Sequence, residues 1–347
     1  MSILSVTVDV DDALLEACKP FDYSFTGTRE FKLPDFEAPI RDNSWNIGLI
    51  VGPSGSGKSQ LLKKHYGITE EPSWRDDKAI VSEMENPTEK FGAVGLNSIP
   101  TWCTPYRVLS NGEQFRVRIA RMLDSNTTFD EFTSVVDRTV AKSCCHAIQR
   151  YIRQKDIKGV VFASCHRDII EWLQPDWTYD TLTQATLARG CLQRRPEIIV
   201  NVDPCERSLW RIFSNHHYLS HEISKAAKCW LATWNNIPIG FTSCLPLPSG
   251  TVKNAWREHR TVVLPDYQGL GIGVRLSDTI GQYHLEIGKK YYSKTAHPRM
   301  GFYRNNSKLW RATKHNMKTK GYTNANMSSW KNRDNILMYS HEYIGNV

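Results

Sequence analysis

Apolar and polar positions along this chain change rhythm several times, and each change marks an element. An unbroken apolar run, Ile47-Gly48-Leu49-Ile50-Val51, leads into a glycine-rich stretch and then into the helical pattern QLLKKH at 60–65. Residues 109–123, LSNGEQFRVRIARML, predict a loop entering a helix, and Val160-Val161-Phe162-Ala163 predicts a second apolar strand. Ser125-Asn126-Thr127-Thr128-Phe129 occupies a strand position, yet it is unusually polar. The segment LTQATLARGCLQRRPE at 182–197 reads as a tether, and the pattern differs beyond it. IIVNV at 198–202 predicts a strand and SLWRIFSNHHYL at 208–219 a helix. CWLATW and PIGFTSCL flank Asn235-Asn236-Ile237, which is a hairpin signal. Residues 260–288 predict a strand, a glycine loop and a long helix, with Gly288 placed to end that helix. The expected organisation is two α/β domains, residues 1–190 and 195–347.

Composition narrows the class. A chain of 347 residues is long enough for two domains, and 40% apolar content with 11 Trp and 14 Tyr supplies packed cores. No run approaches the roughly 18 apolar residues of a membrane span, so no membrane role is expected. The acidic start, MSILSVTVDVDDALLEACK, lacks a basic leader and is not expected to be a secretory signal. Nine Cys is an odd count without a C-x-x-C pair, which fits buried thiols in a reducing cytoplasm better than disulfides or zinc. Charge is unevenly spread. Residues 1–194 carry 23 Lys and Arg against 26 Asp and Glu, a net of −3, whereas residues 195–347 carry 21 against 10, a net of +11. Such asymmetry points to a polyanion meeting the second half; a solvated basic surface is the plainer alternative.

The glycine-rich stretch after Val51 carries the first candidate chemistry. Gly52-Pro53-Ser54-Gly55-Ser56-Gly57-Lys58-Ser59 fits G-x-x-x-x-G-K-[ST], the phosphate-binding P-loop. Backbone N–H groups would close around a polyphosphate, Lys58 would reach the β- and γ-phosphates, and Ser59 would ligate Mg²⁺. The strand before and the helix after are the setting such a loop needs.

Three later segments extend that reading. Leu109, Ser110, Gly112, Arg116, Val117, Ile119, Ala120, Arg121 and Leu123 match the signature loop and helix of the ABC ATPases, and over about residues 20–190 the chain resembles that superfamily. Asn111 and Glu113 stand where members usually have Gly and Gln. DEFTSVVD at 130–137 resembles the Walker B end running into the D-loop, and His166 matches the switch histidine. The resemblance implies that Asp130 holds Mg²⁺ through water, that Glu131 is the general base, and that His166 contacts the γ-phosphate. It also implies that Ser110 and Gly112 face the ATP of a second subunit, as an ATP-dependent homodimer or with an ABC partner. No glutamine loop is evident in GAVGLNSIPTW, where Asn97 is a weak substitute. Together with the polar Walker B strand, this suggests slow hydrolysis or a switch. About 50 residues separate P-loop and signature, so a transporter subunit and a long-armed chromosome-maintenance ATPase both fit poorly.

In the second half, Gln268-Gly269-Leu270-Gly271-Ile272-Gly273 fits [QR]-x-x-G-x-[GA], and VVLPDYQGLGIG resembles the acyl-CoA loop of the GNAT acyltransferases. A dinucleotide fingerprint competes, but the hairpin ahead of the loop and the lack of an acidic residue closing a following strand argue against it. The resemblance implies acetyl-CoA or another acyl-CoA as cofactor and Tyr303 as proton donor to the departing thiolate; a packing role for Tyr303 is the alternative. Candidate bases are Glu258, His259 and the pair His216-His217. His216-His217-Tyr218 near His221 lacks the spacing of a helical ligand pair, so no metal is expected there.

Arg299, Arg304, Lys308, Trp310, Arg311, Lys314, Lys318, Lys320, Trp330 and Lys331 offer phosphate-neutralising charges and stacking faces. This composite resembles GNAT enzymes that modify nucleic acid, with a faint similarity to the phage Mom-type DNA modifiers. The whole layout resembles the ABC-ATPase–GNAT fusions of archaea and phages. The expected fold class is thus α/β, a P-loop ABC ATPase domain followed by a GNAT-fold mixed-sheet α/β domain. The expected function is ATP-controlled acylation of a nucleic-acid base or nucleotide amine, with DNA or RNA as partner. The rivals are a protein N-acetyltransferase with an ABC regulatory domain, and a non-enzymatic nucleic-acid-binding ATP switch.

Overall fold

A computed structural model describes residues 3–21, 23–189, 196–217, 222–250, 252–320 and 336–345. In chain order the first half holds β1 (Ile3–Thr7), α1 (Asp12–Cys18), β2 (Thr28–Lys32), β3 (Ile47–Val51), α2 (Lys58–Tyr66), α3 (Pro87–Ala93), α4 (Ile99–Trp102), α5 (Asn111–Met122), β4 (Thr128–Phe129), α6 (Arg138–Gln154), β5 (Val160–Ser164), α7 (Ile170–Leu173), β6 (Trp177–Asp180) and β7 (Ala185–Ala188). The second half holds β8 (Asn201–Cys205), α8 (Trp210–Phe213), β9 (Lys228–Trp234), β10 (Ile237–Pro246), β11 (Ala255–Val263), α9 (Ile272–Glu286), β12 (Lys290–Thr295), α10 (Pro298–Asn306), β13 (Trp310–Ala312), β14 (Lys318–Lys320) and β15 (Ile336–Tyr343). The chain is α/β and forms two compact units. The first comprises Met1–Asp76, Met84–Val94 and Leu109–Pro196; the second comprises Asp77–Glu83, Gly95–Val108 and Glu197–Val347.

In the first unit the sheet order is β4-β5-β3-β6-β7. The first four strands run parallel and β7 pairs antiparallel to β6. All five residues of β3 are buried, as its uninterrupted apolar run requires for a strand covered on both faces. Gly48 leaves room for the Trp177 indole, which packs among Trp45, Tyr66 and Phe36. The polar strand expected at 125–129 shrinks to two residues, and its threonines are buried with their hydroxyls satisfied. Thr127 Oγ1 donates to the Met122 carbonyl at 3.1 Å, and Thr128 Oγ1 accepts from the Thr69 amide at 2.9 Å. Hydrogen-bonded hydroxyls make a polar strand tolerable at the sheet edge. Part of the expected tether is also structured, since Ala185–Ala188 is strand β7; residues 190–195 lie outside the described residues.

The second unit is built on a mixed sheet of order β13-β15-β12-β11-β10-β9-β8, with β14 on β15. Asn235 and Asn236, at φ 51° and 64°, make the two-residue turn between β9 and β10. Both central residues at positive φ suit the right-handed twist of the strands, which is why the Asn-Asn pair marks a hairpin. The expected helix at 208–219 is shorter, an α-turn at Trp210–Phe213 flanked by 3₁₀ turns. Along β11 the pairing with β10 jumps from Arg260↔Ser243 to Glu258↔Cys244, so His259 is an extra bulge residue. β11 pairs in parallel with β12 through Ala255–Arg257 alone, after which the two strands fork.

Replacing Gly48 with Ala is expected to destabilise the first unit by about 1–3 kcal/mol, because the new Cβ overlaps a Trp177 ring that its aromatic neighbours hold in place. Urea denaturation of the full chain measures this, and an unchanged midpoint would show that the Trp177 contact is soft.

Candidate functional site

The first unit places the glycine-rich loop 52–59, expected as a phosphate-binding loop, at the start of α2. Gly57 is the N-cap at φ 88° and makes no side-chain cap, so the first N–H groups of α2 are not capped by that residue. Lys58 Nζ donates to the Pro53 carbonyl at 2.8 Å, folding back across the loop. Thr181 Oγ1 donates to Ser56 Oγ at 2.7 Å and braces the loop from the turn after β6. A Cβ on Gly55 would meet no heavy atom within 4 Å, so the space in front of the loop is open. Ser59 follows Lys58 within the first turn of α2.

Asp130 and Glu131 follow β4 directly. Asp130 Oδ1 accepts from the Glu131 amide at 2.8 Å, and Glu131 is exposed with φ 46°. Phe132 anchors this turn, donating its amide to the Ala163 carbonyl at 2.8 Å and packing its ring 4.4 Å from Phe162. Thr133 is fully buried at φ 71°, strained for a β-branched residue, and its hydroxyl lies 3.1 Å from His166 Nδ1. Arg138 NH1 lies 2.9 Å from the same nitrogen. A guanidinium can only donate, so Nδ1 accepts and the proton of the neutral ring sits on Nε2. Burial, followed by the Arg138 charge, lowers the His166 pKa and favours that neutral ring. Arg138 is itself held by Asp168.

Ser110 caps α5 in a full capping box, with its amide 3.0 Å and its hydroxyl 2.8 Å from the Glu113 carboxylate. Glu113, a departure from the expected pattern, therefore engages both the amide and the hydroxyl of Ser110. Gly112 lies in the first turn of α5.

The second unit holds the other glycine cradle. Gly269 and Gly271 have φ of 88° and 80°, and Gly271 is the N-cap of the fifteen-residue helix α9. Left-handed backbone at Gly271 turns the chain into the helix without a side chain over its N–H groups. A Cβ there would meet no heavy atom within 4 Å, so conformation rather than crowding demands glycine and the space ahead is open. Ile272 is buried under the loop, Leu270 packs against the same cluster, and Gly273 backs onto Val263 of β11. Gln268 donates from Nε2 to the Val263 carbonyl at 2.9 Å, tying the loop to the β11 side of the fork.

Below the fork lies a buried polar cluster. Arg304 is 1% exposed and donates from NH2 to Glu258 Oε2 at 2.7 Å and to Ser277 Oγ at 2.8 Å. Ser293 Oγ and Thr261 Oγ1 also donate to Glu258, at 2.6 and 2.8 Å. Burial pushes the Glu258 carboxyl up, but Arg304 and these hydroxyls outweigh it and hold the pKa below the usual range. An anion so well satisfied is a poor proton acceptor, and Glu258, expected as a candidate base, is placed as a structural anchor. Tyr303 donates to Asp278 Oδ2 at 2.5 Å, while Trp310 Nε1 donates to Oδ1 at 2.7 Å. Burial lifts the Asp278 carboxyl above its ordinary value against those two bonds, and burial with Asp278 beside it pushes Tyr303 up to about 12. His259, in the bulge, is lowered to about 4 by burial and then by Arg260 and Arg257. His217 is buried with its ring 5.7 Å from Trp210, and His216 is partly exposed. Among the described residues no group of three or more His, Cys, Asp and Glu could hold a metal; Tyr218 and His221 lie outside them.

Residues 225–306 match the family model of the acetyltransferase (GNAT) domain. That stretch runs from just before β9 through α10 and contains both the glycine cradle and the fork. No curated protein matches the chain. Among solved structures, a GNAT family acetyltransferase from Elizabethkingia anophelis with acetyl-CoA bound is 15% identical, with 42% of this chain and 97% of that one covered at a TM-score of 0.28. The ribosomal-protein-S18-alanine N-acetyltransferase of Escherichia coli is 11% identical, covering 43% and 96% at 0.32. A dimeric ATP-binding cassette in a post-hydrolysis state, bound to ADP and Pi, is 17% identical, covering 48% and 90% at 0.34. At these TM-scores the likenesses carry no argument about activity.

The basic tail divides on inspection. Arg304 and Trp310, expected as phosphate and stacking contacts, are core residues, with the guanidinium 4.5 Å over the indole. Arg311 is exposed but pairs with Glu342 at 2.7 Å. Lys308, Lys314 and Lys318 are exposed; the Lys320 side chain, Trp330 and Lys331 lie outside the described residues. Sequence reasoning missed Asp278, Arg138 and Thr181. Each acts through a long-range contact that leaves no local pattern.

Arg304→Ala is expected to cost about 3–5 kcal/mol, because it strands the Glu258 charge in the interior. Adding Glu258→Gln should recover part of that loss, and strictly additive costs in urea denaturation would show that the pair is not coupled. The depressed Glu258 pKa fixes the sign with pH. The pair's contribution is complete above the ordinary Glu value and fades as pH falls through the lower native one.

Proposed function

We propose that this protein is an acyl-CoA-dependent N-acyltransferase whose first unit binds and hydrolyses ATP-Mg²⁺. The observation that carries the acyltransferase reading is the Gly269–Gly273 cradle at the head of α9, opening beside the β11–β12 fork within the stretch that matches the GNAT model. Acetyl-CoA would supply the activated acyl thioester. The N–H groups of Gly269 to Gly273 would bind its pyrophosphate, and β11 beyond Arg257 is free of a backbone ladder to β12. Tyr303 holds a proton for the departing thiolate. The Asp278 carboxylate accepts from the phenol and orients it. Among the candidate bases His259 is half-buried and lowered to about 4, so it is neutral at physiological pH yet a weak proton acceptor, and His216 and His217 are candidates with it.

The ATP reading rests on the open P-loop, the Asp130-Glu131 turn and the Nε2–H of His166. Lys58 and Ser59 would hold the phosphates and Mg²⁺. Ser110 and Gly112 would face a second ATP in a homodimer or with an ABC partner, and the Glu113 carboxylate tempers that contact.

A nucleic acid as acyl acceptor is favoured by the net charge of +11 over residues 195–347 and by exposed Lys308, Lys314 and Lys318. A protein amine is the rival acceptor. In this reading the chain works in the cytoplasm, in the manner of the archaeal and phage fusions it resembles.

Gly271→Glu is expected to abolish acetyl-CoA binding by the full chain in calorimetry, since a carboxylate would fill and repel the cradle; equal affinity would move the site elsewhere. Lys58→Ala should lose ATP binding, while Glu131→Gln should keep binding and stall hydrolysis, and wild-type turnover by Glu131→Gln would remove Glu131 as the base. Binding to DNA or RNA should weaken steeply with salt, by a slope of roughly −0.9 per phosphate on duplex and about −0.7 on single strands. Replacing Lys308, Lys314 and Lys318 with Ala should flatten it by about two to three units. Absence of binding at low salt would leave the protein amine as acceptor.

A further inference from the structure

The residues between P-loop and signature do not all stay with the first unit. Gly95–Val108 belongs to the second, and the chain passes between units at Val94–Gly95 and again at Val108–Leu109, one residue short of Ser110. Within the second unit this segment lies on the acyl-CoA loop. The Asn97 amide donates to Gln268 Oε1 at 2.7 Å, so both ends of the Gln268 side chain are engaged, one by Asn97 and one by Val263. Arg299, next to the start of α10, donates to Asn97 Oδ1 at 2.9 Å. Gly95 stands at φ 76°, and a Cβ there would lie 2.8 Å from the Gln268 carbonyl oxygen and 3.5 Å from Gly269 Cα. Leu96 is fully buried, and its carbonyl accepts from Trp102 Nε1 at 3.0 Å, so the segment is packed rather than loosely laid.

We propose that Gly95 and Asn97, with Arg299, are positioning residues of the acyl-CoA loop, and that they make acyl-CoA affinity depend on the nucleotide held by the first unit. The inference rests on the two binding readings above. The loop binds through backbone N–H groups whose direction is set by Gln268 and the two left-handed glycines. Gln268 is held from one side by β11 and from the other by Asn97. The segment carrying Asn97 is covalently continuous with the residue before Ser110. In this proposal, movement of the signature end on ATP binding reaches the partner of Gln268 through that segment. A coupling of this kind is reciprocal, so acyl-CoA must change ATP affinity by the same factor.

The test uses the full chain carrying Glu131→Gln, so that ATP persists. Acetyl-CoA affinity is measured by calorimetry with and without ATP-Mg²⁺, and ATP affinity with and without acetyl-CoA. The expected result is a change of about fivefold or more in both, by equal factors. Gly95→Ala should weaken acetyl-CoA binding about tenfold or more and remove the ATP effect. Gly288→Ala is the control, since it shares the positive φ (69°) but its Cβ would meet nothing within 4 Å; it should change neither. Should Gly95→Ala fail to fold, Asn97→Ala and Arg299→Ala remove the Arg299–Asn97 Oδ1 bond that holds the segment, while the Asn97 amide still reaches Gln268. Each should bind both ligands with the coupling factor reduced toward one, and Arg299→Lys should restore part of it. Acetyl-CoA affinity indifferent to ATP in the parent, or coupling unchanged in Asn97→Ala and Arg299→Ala, overturns the inference while leaving the acyl-CoA reading intact. Failure of the parent to bind acetyl-CoA at all overturns the acyl-CoA reading, and the inference falls with it.

Discussion

A guanidinium cannot shed its proton, so a buried arginine must be paired, and Arg304 is the group around which the interior of the second unit is arranged. Its bonds reach Glu258 on β11, Ser293 on β12 and Ser277 on α9, and its plane lies over Trp310 of β13. One side chain from α10 thus ties together the two strands that fork and the helix whose N-terminus forms the glycine cradle. The fork can open beyond Arg257 because this cluster, rather than a backbone ladder, bridges β11 and β12 at Glu258 and Ser293. The same requirement gives Glu258, expected as a candidate base, the task of balancing a buried cation.

The two units use one physical device in different settings. Each places a glycine with left-handed backbone as the N-cap of a helix, Gly57 before α2 and Gly271 before α9, and neither N-cap makes a side-chain cap bond. A helix start without a capping side chain keeps N–H donors available to an anion, and the helix dipole adds to the attraction. The start of α5 shows the contrasting case. There Ser110 and Glu113 cap one another, so the donors are partly used and a negative charge is added. That difference separates two helix starts without a capping side chain from a third that is fully capped.

In the first unit, strain gathers at the turn after β4. Glu131 and Thr133 both have positive φ, and the ring of Phe132 between them is buried against Phe162. A backbone so constrained persists where its surroundings over-determine it, and here the Thr133 hydroxyl sits on the His166 ring that Arg138 also orients. The turn that carries the candidate base Glu131 therefore touches the candidate switch histidine through Thr133.

Local structure was legible in the sequence wherever a few consecutive residues decide it. The apolar run of β3, the glycine-rich loop 52–59, the Asn235-Asn236 turn, the loop entering α5 and the strand–glycine–helix passage into α9 all depend on conformational preferences within about six residues. The polar Walker B strand was visible too, but not the Thr69 and Met122 partners that make it tolerable. What only the tertiary structure decided are the pairings between distant positions. Arg304 and Trp310 look, in sequence, like surface residues of a basic tail, and burial beside Glu258 and Asp278 gives them the opposite role. Asn97 looks like a degraded loop position of the first half, yet it belongs to the second unit and holds Gln268. Backbone propensity acts over one turn of chain. The partner of a buried charge or of a loop amide is set by which elements the fold brings within hydrogen-bond reach, and no spacing along the sequence encodes that.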